Sequence, residues 1–234
     1  MRTQRTALAA LAITFAAAAA ASADSEGSRQ SGYSYIRVAT GGVTVESQAN
    51  GSVEARRNQP ISSGDEIRTA DGGRAEIALA DGNLLHVGGG TTARFESLAA
   101  QQGDSADFSS IHLVEGSLIL STLGATENQI PRIDTEDVTV YLNPDSRVRV
   151  NTEPNRGTVV IGRAGSAEVR TRQGSNTLRA GQYLMARGDE EPEISRGAFS
   201  HDRFDLWAAD RIETLSDSHS ASARYVDEDH ASDV

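Results

Sequence analysis

Short β-branched runs, interrupted every few residues by Gly-Asp or Asp-Gly pairs, restrict what this chain can fold into more than any other feature. The fullest stretch runs from Tyr35 to Glu96. Within it Ala75, Ile77 and Leu79 alternate with Arg74, Glu76 and Ala78, the period of two that marks a half-buried strand. Asp81-Gly82-Asn83 interrupts, and Leu84 to Val87 resumes. Asp-Gly between such runs is a tight-turn signal, because the favoured hairpin turns need positive φ at their centre. Gly64-Asp65, Asp71-Gly72-Gly73 and Gly88-Gly89-Gly90 supply further corners. The fold class this predicts is all-β.

The same grammar returns less tidily from Ile111, Val159 and Asn176, with strands expected over Asp137–Leu142, Arg147–Val150 and Thr158–Ile161. Asn143-Pro144-Asp145 and Pro154-Asn155-Arg156-Gly157 are the turns between them, and Ala99 to Ser110 reads as a polar loop. An apolar-x-x-x-Gly-x-apolar-x-apolar pattern centred on Gly42, Gly116 and Gly165 predicts a β-solenoid-like stack of short strands. Its unequal spacing keeps a β-sandwich as the alternative. Near the C-terminus Phe204, Trp207, Ala208, Ile212 and Leu215 fall at helical spacing, with Ser200 as N-cap and Asp202 in the first turn.

Arg2 and Arg5, an alanine-rich stretch from Ala7 to Ala21, and the small-x-small site Ala21-Ser22-Ala23 predict a Sec-type signal peptide over residues 1–23, cleaved after Ala23. The stretch is too short and too weakly apolar for a membrane span. The domain plan is then a flexible leader over 24–34, a β domain over 35–190, a helix over 198–215 and a disordered tail over 216–234. Localisation is expected to be periplasmic or secreted, with no membrane insertion after cleavage.

The formal net charge of −11 disfavours nucleic acid, whose phosphates demand a basic footprint, and equally disfavours adsorption to anionic lipid, so no nucleic-acid partner is expected. All 22 basic residues are arginine, so amine chemistry has no lysine to use. Cysteine is absent, which removes disulfides, thiol catalysis and thiolate metal sites.

The candidate chemical groups have structural readings. His86 and His112 lie inside strand-like runs, and His219 and His230 sit in the acidic tail without metal-ligand spacing. Ser105 lies in a polar loop without a nucleophile elbow. The carboxylate pairs Asp65 with Glu66 and Asp134 with Glu136 follow from a composition that puts an acid in every second turn. Gly88-Gly89-Gly90 has no phosphate-loop lysine. No catalytic residue, metal site or cofactor is expected, and the binding residues are unknown. Gly42, Gly64, Asp65, Asp81, Gly82, Gly116 and Gly165 are expected to be structural turn positions, the two aspartates capping nearby backbone N–H groups.

The Tyr35–Glu96 cassette resembles the FecR-type periplasmic domain. The resemblance rests on Gly42-Val43-Thr44-Val45, Ile61 to Ile67 with Gly64-Asp65, Arg74-Ala75-Glu76-Ile77, and Asp81-Gly82, with weaker echoes towards Ala186. It implies an all-β, solenoid-like domain, which in the founding regulators receives a signal from an outer-membrane transporter and passes it to a cytoplasmic sigma factor. No anti-sigma segment precedes the cassette here and no transmembrane helix accompanies it, so that relay is not expected of this chain. The expectation is a non-enzymatic envelope domain that binds a protein partner, by protein–protein contact or signal sensing. The alternative is a carbohydrate-binding or matrix module acting on polysaccharide, with Trp207 as its best platform.

Overall fold

Alternating side chains commit one face of each strand to a common core, and the turn residues decide where the chain crosses from one layer to the other. The computed structural model describes residues 32–99, 108–123, 130–197 and 199–215. The expected signal peptide, residues 24–31 of the leader, Ser105 and the tail with His219 and His230 lie outside the described residues.

The first half contains β1 (Ser34–Thr40), β2 (Val43–Ser47), β3 (Gly51–Glu54), β4 (Pro60–Ile61), β5 (Glu66–Thr69), β6 (Arg74–Ala78), β7 (Leu84–Val87) and β8 (Thr92–Ser97). A long β9 (Ser110–Ser121) leads into the second half. There follow β10 (Arg132–Asp134), β11 (Thr139–Leu142), β12 (Arg147–Glu153), β13 (Gly157–Ala164), β14 (Ser166–Thr171), β15 (Gly174–Arg179), β16 (Gln182–Ala186) and β17 (Glu193–Arg196). The helix α1 covers residues 203–215.

Two ladders share β9. Sheet I runs in the order β4, β1, β6, β7, β9, β12, β13, β16, β17. Sheet II runs β3, β2, β5, β8, β9, β10, β11, β14, β15. The expectation of an all-β fold with one C-terminal helix holds. Within it the pairing follows the two-sheet alternative, because every ladder among the described residues is antiparallel except β9–β10, whereas stacked coils would pair in parallel.

The chain changes sheet at Gly42 between β1 and β2, at Gly116 inside β9, and at Gly165 between β13 and β14. Gly116 has φ +95°, and a Cβ there would lie 2.6 Å from the Gly90 carbonyl oxygen and collide with Thr91. Both the left-handed backbone and the close approach require glycine. Buried hydroxyls stitch the corners together. The Ser117 N–H donates to Thr91 Oγ1 at 3.0 Å, and the Thr91 N–H to Thr69 Oγ1 at 2.9 Å. In the second half Thr122 and Ser146 do the same work, the Ser146 N–H donating to Thr122 Oγ1 at 2.7 Å and the Ser166 N–H to Ser146 Oγ at 2.9 Å.

One core fills the space between the sheets. Ile36, Ile77, Leu85, Leu118, Leu120, Val150 and Leu184 come from sheet I; Val45, Ile67, Phe95, Ile111, Ile133, Val140 and Val169 come from sheet II. Each such buried side chain contributes about 1.5–3 kcal/mol of transfer free energy.

Three boundaries move. Ser34 already belongs to β1, where its Oγ accepts from the Ala80 N–H at 3.1 Å. The β region extends past residue 190, because Glu193–Arg196 pairs with β16. The helix begins at 203 rather than 198. Asp202, not Ser200, caps it: Asp202 Oδ1 accepts from the N–H groups of Phe204 and Asp205, both at 2.9 Å. Asp205 completes a reciprocal capping arrangement by accepting from the Asp202 N–H at 3.4 Å.

Candidate functional site

Strand register sets one continuous row of side chains across the outer face of sheet I. Val38 pairs with Glu76, Glu76 with His86, His86 with Ile119, Ile119 with Arg149, Arg149 with Ile161, and Ile161 with Tyr183. These residues alternate with core positions such as Ile77, Leu85, Leu118 and Val150, so all of them point away from the core. Helix α1 lies over this row.

Ion pairs hold the helix at both ends. Asp205, 5 % exposed, receives Arg149 Nη1 and Arg163 Nη2, each at 2.7 Å. Arg149 Nη1 also meets Asp202 at 2.8 Å. Six residues further along, Arg211 grips Glu76 with both branches, Nε to Oε2 at 2.6 Å and Nη2 to Oε1 at 3.0 Å. Arg37 approaches the same carboxylate at 3.2 Å. Between the ends, Trp207 sets its ring edge-on to His86, 5.2 Å between centroids. Ile119, Ile161 and Ala208 are all buried outside the main core and form a thin second apolar layer.

Glu76 and His86 are both fully buried. Burial alone would raise the Glu76 pKa, but the pull of His86 and Arg211 outweighs it and brings it from 4.5 to about 2. Burial pushes His86 below its ordinary value against the pull of Glu76, so its ring is neutral at neutral pH. Its Nε2 stands 3.5 Å from Glu76 Oε2, and neither ring nitrogen makes a well-formed hydrogen bond. At the helix start partial burial would raise the Asp202 carboxyl, but the Asp205 N–H and the Arg149 guanidinium hold it below the usual range.

This Glu–His pair is sealed from solvent, so no substrate can reach it as it stands. A cleft of about 370 Å³ beside the helix start mixes Asp71 and Asp202 with Arg74 and Arg203, a balanced set of charges. Among the described residues no three His, Cys, Asp or Glu side chains gather to hold a metal ion.

The turn positions named from the sequence lie elsewhere. Gly42, Gly116 and Gly165 stand at the changes of sheet, and Gly64 and Gly82 in the turns before β5 and before β7, all with positive φ. Asp65 Oδ2 accepts from the Ser62 N–H at 2.9 Å, and Asp81 Oδ1 from the Asn83 N–H at 3.1 Å. None of them touches the row. His112 sits in β9, on sheet II, away from His86. Glu66 faces Arg68 and Arg94 on that open sheet, while Asp134 pairs with Arg132.

Sequence reasoning missed the Glu76–His86 pair and the Arg149–Arg163–Asp205 cluster. One signal for them existed. Leu84 to Val87 is apolar apart from His86 and shows no alternation, which is how a strand covered on both faces reads. Trp207 is no open platform: Phe204 stacks with it at 6.1 Å and Arg74 lies 5.6 Å from its ring centroid.

The β17 end of sheet I forms a second candidate surface. β17 pairs with β16 on one side and with nothing on the other among the described residues. Met185, Ile194 and Phe199 are exposed there, and Phe199 packs edge-on against Tyr183 at 4.7 Å.

No family model matches this chain, and no curated protein matches it. Two crystal structures of a "putative anti-sigma factor" from Parabacteroides distasonis, at 1.65 and 2.50 Å resolution, are similar in structure. Each matches 56 % of this chain at 18 % identity with a TM-score of 0.48. The match spans 59 % of the length of that protein.

Proposed function

We propose that this chain is a non-enzymatic envelope domain of the FecR type that binds a protein partner by strand addition at β17. The single observation that carries this is the edge itself. Its unpaired backbone groups adjoin exposed Ile194, which an incoming strand would pair with and partly bury. The FecR-type reading rests on the motifs of Tyr35–Glu96, and the periplasmic or secreted location on the signal-like N-terminus. No helix among the described residues is long and apolar enough to cross a membrane. Polysaccharide binding has less support, since the neighbours of Trp207 occupy its ring.

Cross-linking in intact envelopes tests the reading. One reproducible protein partner is expected, lost in Ile194→Pro and retained in Glu66→Ala on the other sheet. Ile194→Pro removes a backbone donor at an edge that contributes little to the core. Recovery of polysaccharide alone, or of the same protein from both variants, would overturn it.

A further inference from the structure

The outer face of sheet I carries a lopsided charge. Arg74, Arg147, Arg149 and Arg163 share it with Arg37, five cations against the carboxylates Glu76, Glu153 and Glu193, of which Glu76 is the one bound by the helix. The chain as a whole carries −11, so this face is a basic island on an acidic protein. What covers it is acidic: Asp202, Asp205, Asp210 and Glu213 outnumber Arg203 and Arg211 in the cap and helix.

The helix forms a layer outside the main core. None of its residues belongs to the main core, which lies on the opposite side of sheet I. Ion-pair clusters hold it at two places, and Phe204, Trp207 and Ala208 pack against the sheet beside them. Without the helix, Glu76 keeps Arg37 and His86 beside it, whereas Arg149 and Arg163 lose their carboxylate. The Nε of Arg163 lacks a hydrogen-bond partner even with the helix in place, so the fit to this particular segment is incomplete. Leu206 is 60 % exposed on the same segment, so part of its apolar surface stays uncovered as it sits.

The geometry points to a docking face for an acidic amphipathic helix, occupied in this chain by its own residues 202–215 as an intramolecular stand-in. The partner that fits is a protein helix presenting a carboxylate to Arg149 and Arg163, an aromatic side chain two residues later over His86, and a cation one further turn on for Glu76. Asp205, Trp207 and Arg211 are this pattern in the resident copy. The six residues from Asp205 to Arg211 advance about 9 Å along a helix. The strands they bridge, β12 to β6, are three spacings of about 4.8 Å apart, and the long arginine side chains cover the remainder. A resident helix lowers the apparent affinity for an incoming one by the fraction of molecules that stand open. This inference rests on the reading of the chain as an interaction domain, and not on the β17 edge.

The test uses the full chain and a fluorescent peptide with the sequence of residues 199–215. Asp205→Arg sets a cation against Arg149 and Arg163 and should release the resident helix. Fluorescence anisotropy is expected to show the peptide binding Asp205→Arg at least about tenfold more tightly than wild type, a difference of one decade in Kd. Adding Arg149→Glu should abolish that binding, and a peptide carrying Trp207→Ala should not compete. Arg211→Glu, which breaks the other end, should open the face in the same direction. Equal binding to wild type and both variants, or binding that survives Arg149→Glu, would overturn the proposal. So would loss of the cooperative unfolding transition in both Asp205→Arg and Arg211→Glu, since the helix would then be an integral layer of the fold. A β17 variant that loses its cross-linked partner yet binds the peptide normally separates this proposal from the strand-addition reading.

Discussion

The outer faces of the two sheets start from the same kind of sequence and end in opposite electrostatic conditions. On sheet II, Arg68 pairs with Glu66 at 2.6 Å, Arg94 with Glu66 at 3.0 Å, and Arg170 with Glu168 at 2.8 Å while lying over Tyr141. Those guanidinium groups are about half exposed, at 55 %, 48 % and 54 %. On sheet I the matching groups lie beneath helix α1, with Glu76 and His86 fully covered. Water screens the first set and is excluded from much of the second. A similar distance therefore represents a weak interaction on one face and a strong dependence on partners on the other.

The largest effect should come from the residue that joins the two faces. Gly116→Val forces a β-branched side chain into a left-handed backbone and onto Thr91 and the Gly90 carbonyl, where β9 passes between the sheets. A loss of about 4 kcal/mol or more in urea unfolding is expected. A midpoint near that of wild type would mean that the corner can open without cost and that the sheets are not rigidly coupled there.

Glu76→Ala comes next, at about 3 kcal/mol, because it leaves Arg37, His86 and Arg211 around an empty site under the helix. Asp205→Asn should cost about 2 kcal/mol, less because Arg149 keeps Asn151 and Asp202. On the open face Arg94→Ala should cost under about 1 kcal/mol. Equal losses for Glu76→Ala and Arg94→Ala would erase the distinction between the faces.

Acid should find the covered face as well. The Glu76 pKa is lowered from 4.5 to about 2, so its stabilising contribution is present above about 4.5 and is lost as pH falls towards 2. His86 is also lowered, so the folded state resists its protonation and stability begins to fall once pH drops below about 6.5. Melting temperature followed from pH 7 to pH 2 should therefore decline in two stages. Glu76→Gln should flatten the lower stage, and His86→Phe the upper. A decline of unchanged shape in both variants would place the acid sensitivity elsewhere.

Much of the architecture was legible because turns and strands are local. Asp81-Gly82 and Gly64-Asp65 mark turns through residues adjacent in sequence, and the period of two in Arg74–Leu79 shows which side chains enter the core. Phe204, Trp207 and Ala208 likewise mark a helix by their spacing alone. The start of that helix was less legible, since Ser200 and Asp202 are both good caps and only the hydrogen bonds distinguish them.

Sequence by itself determined the class of fold, the corners and the existence of a C-terminal helix, since each depends on backbone preferences within a few residues. Tertiary structure alone decided which polar face would be covered. Alternation in β6 assigns Glu76 to the side away from the core, but says nothing of whether water or another element lies there. Arg211 reaches Glu76 from 135 residues away in the chain, and the burial that lowers the His86 pKa and makes Asp205 depend on two arginines exists only once that long loop has closed.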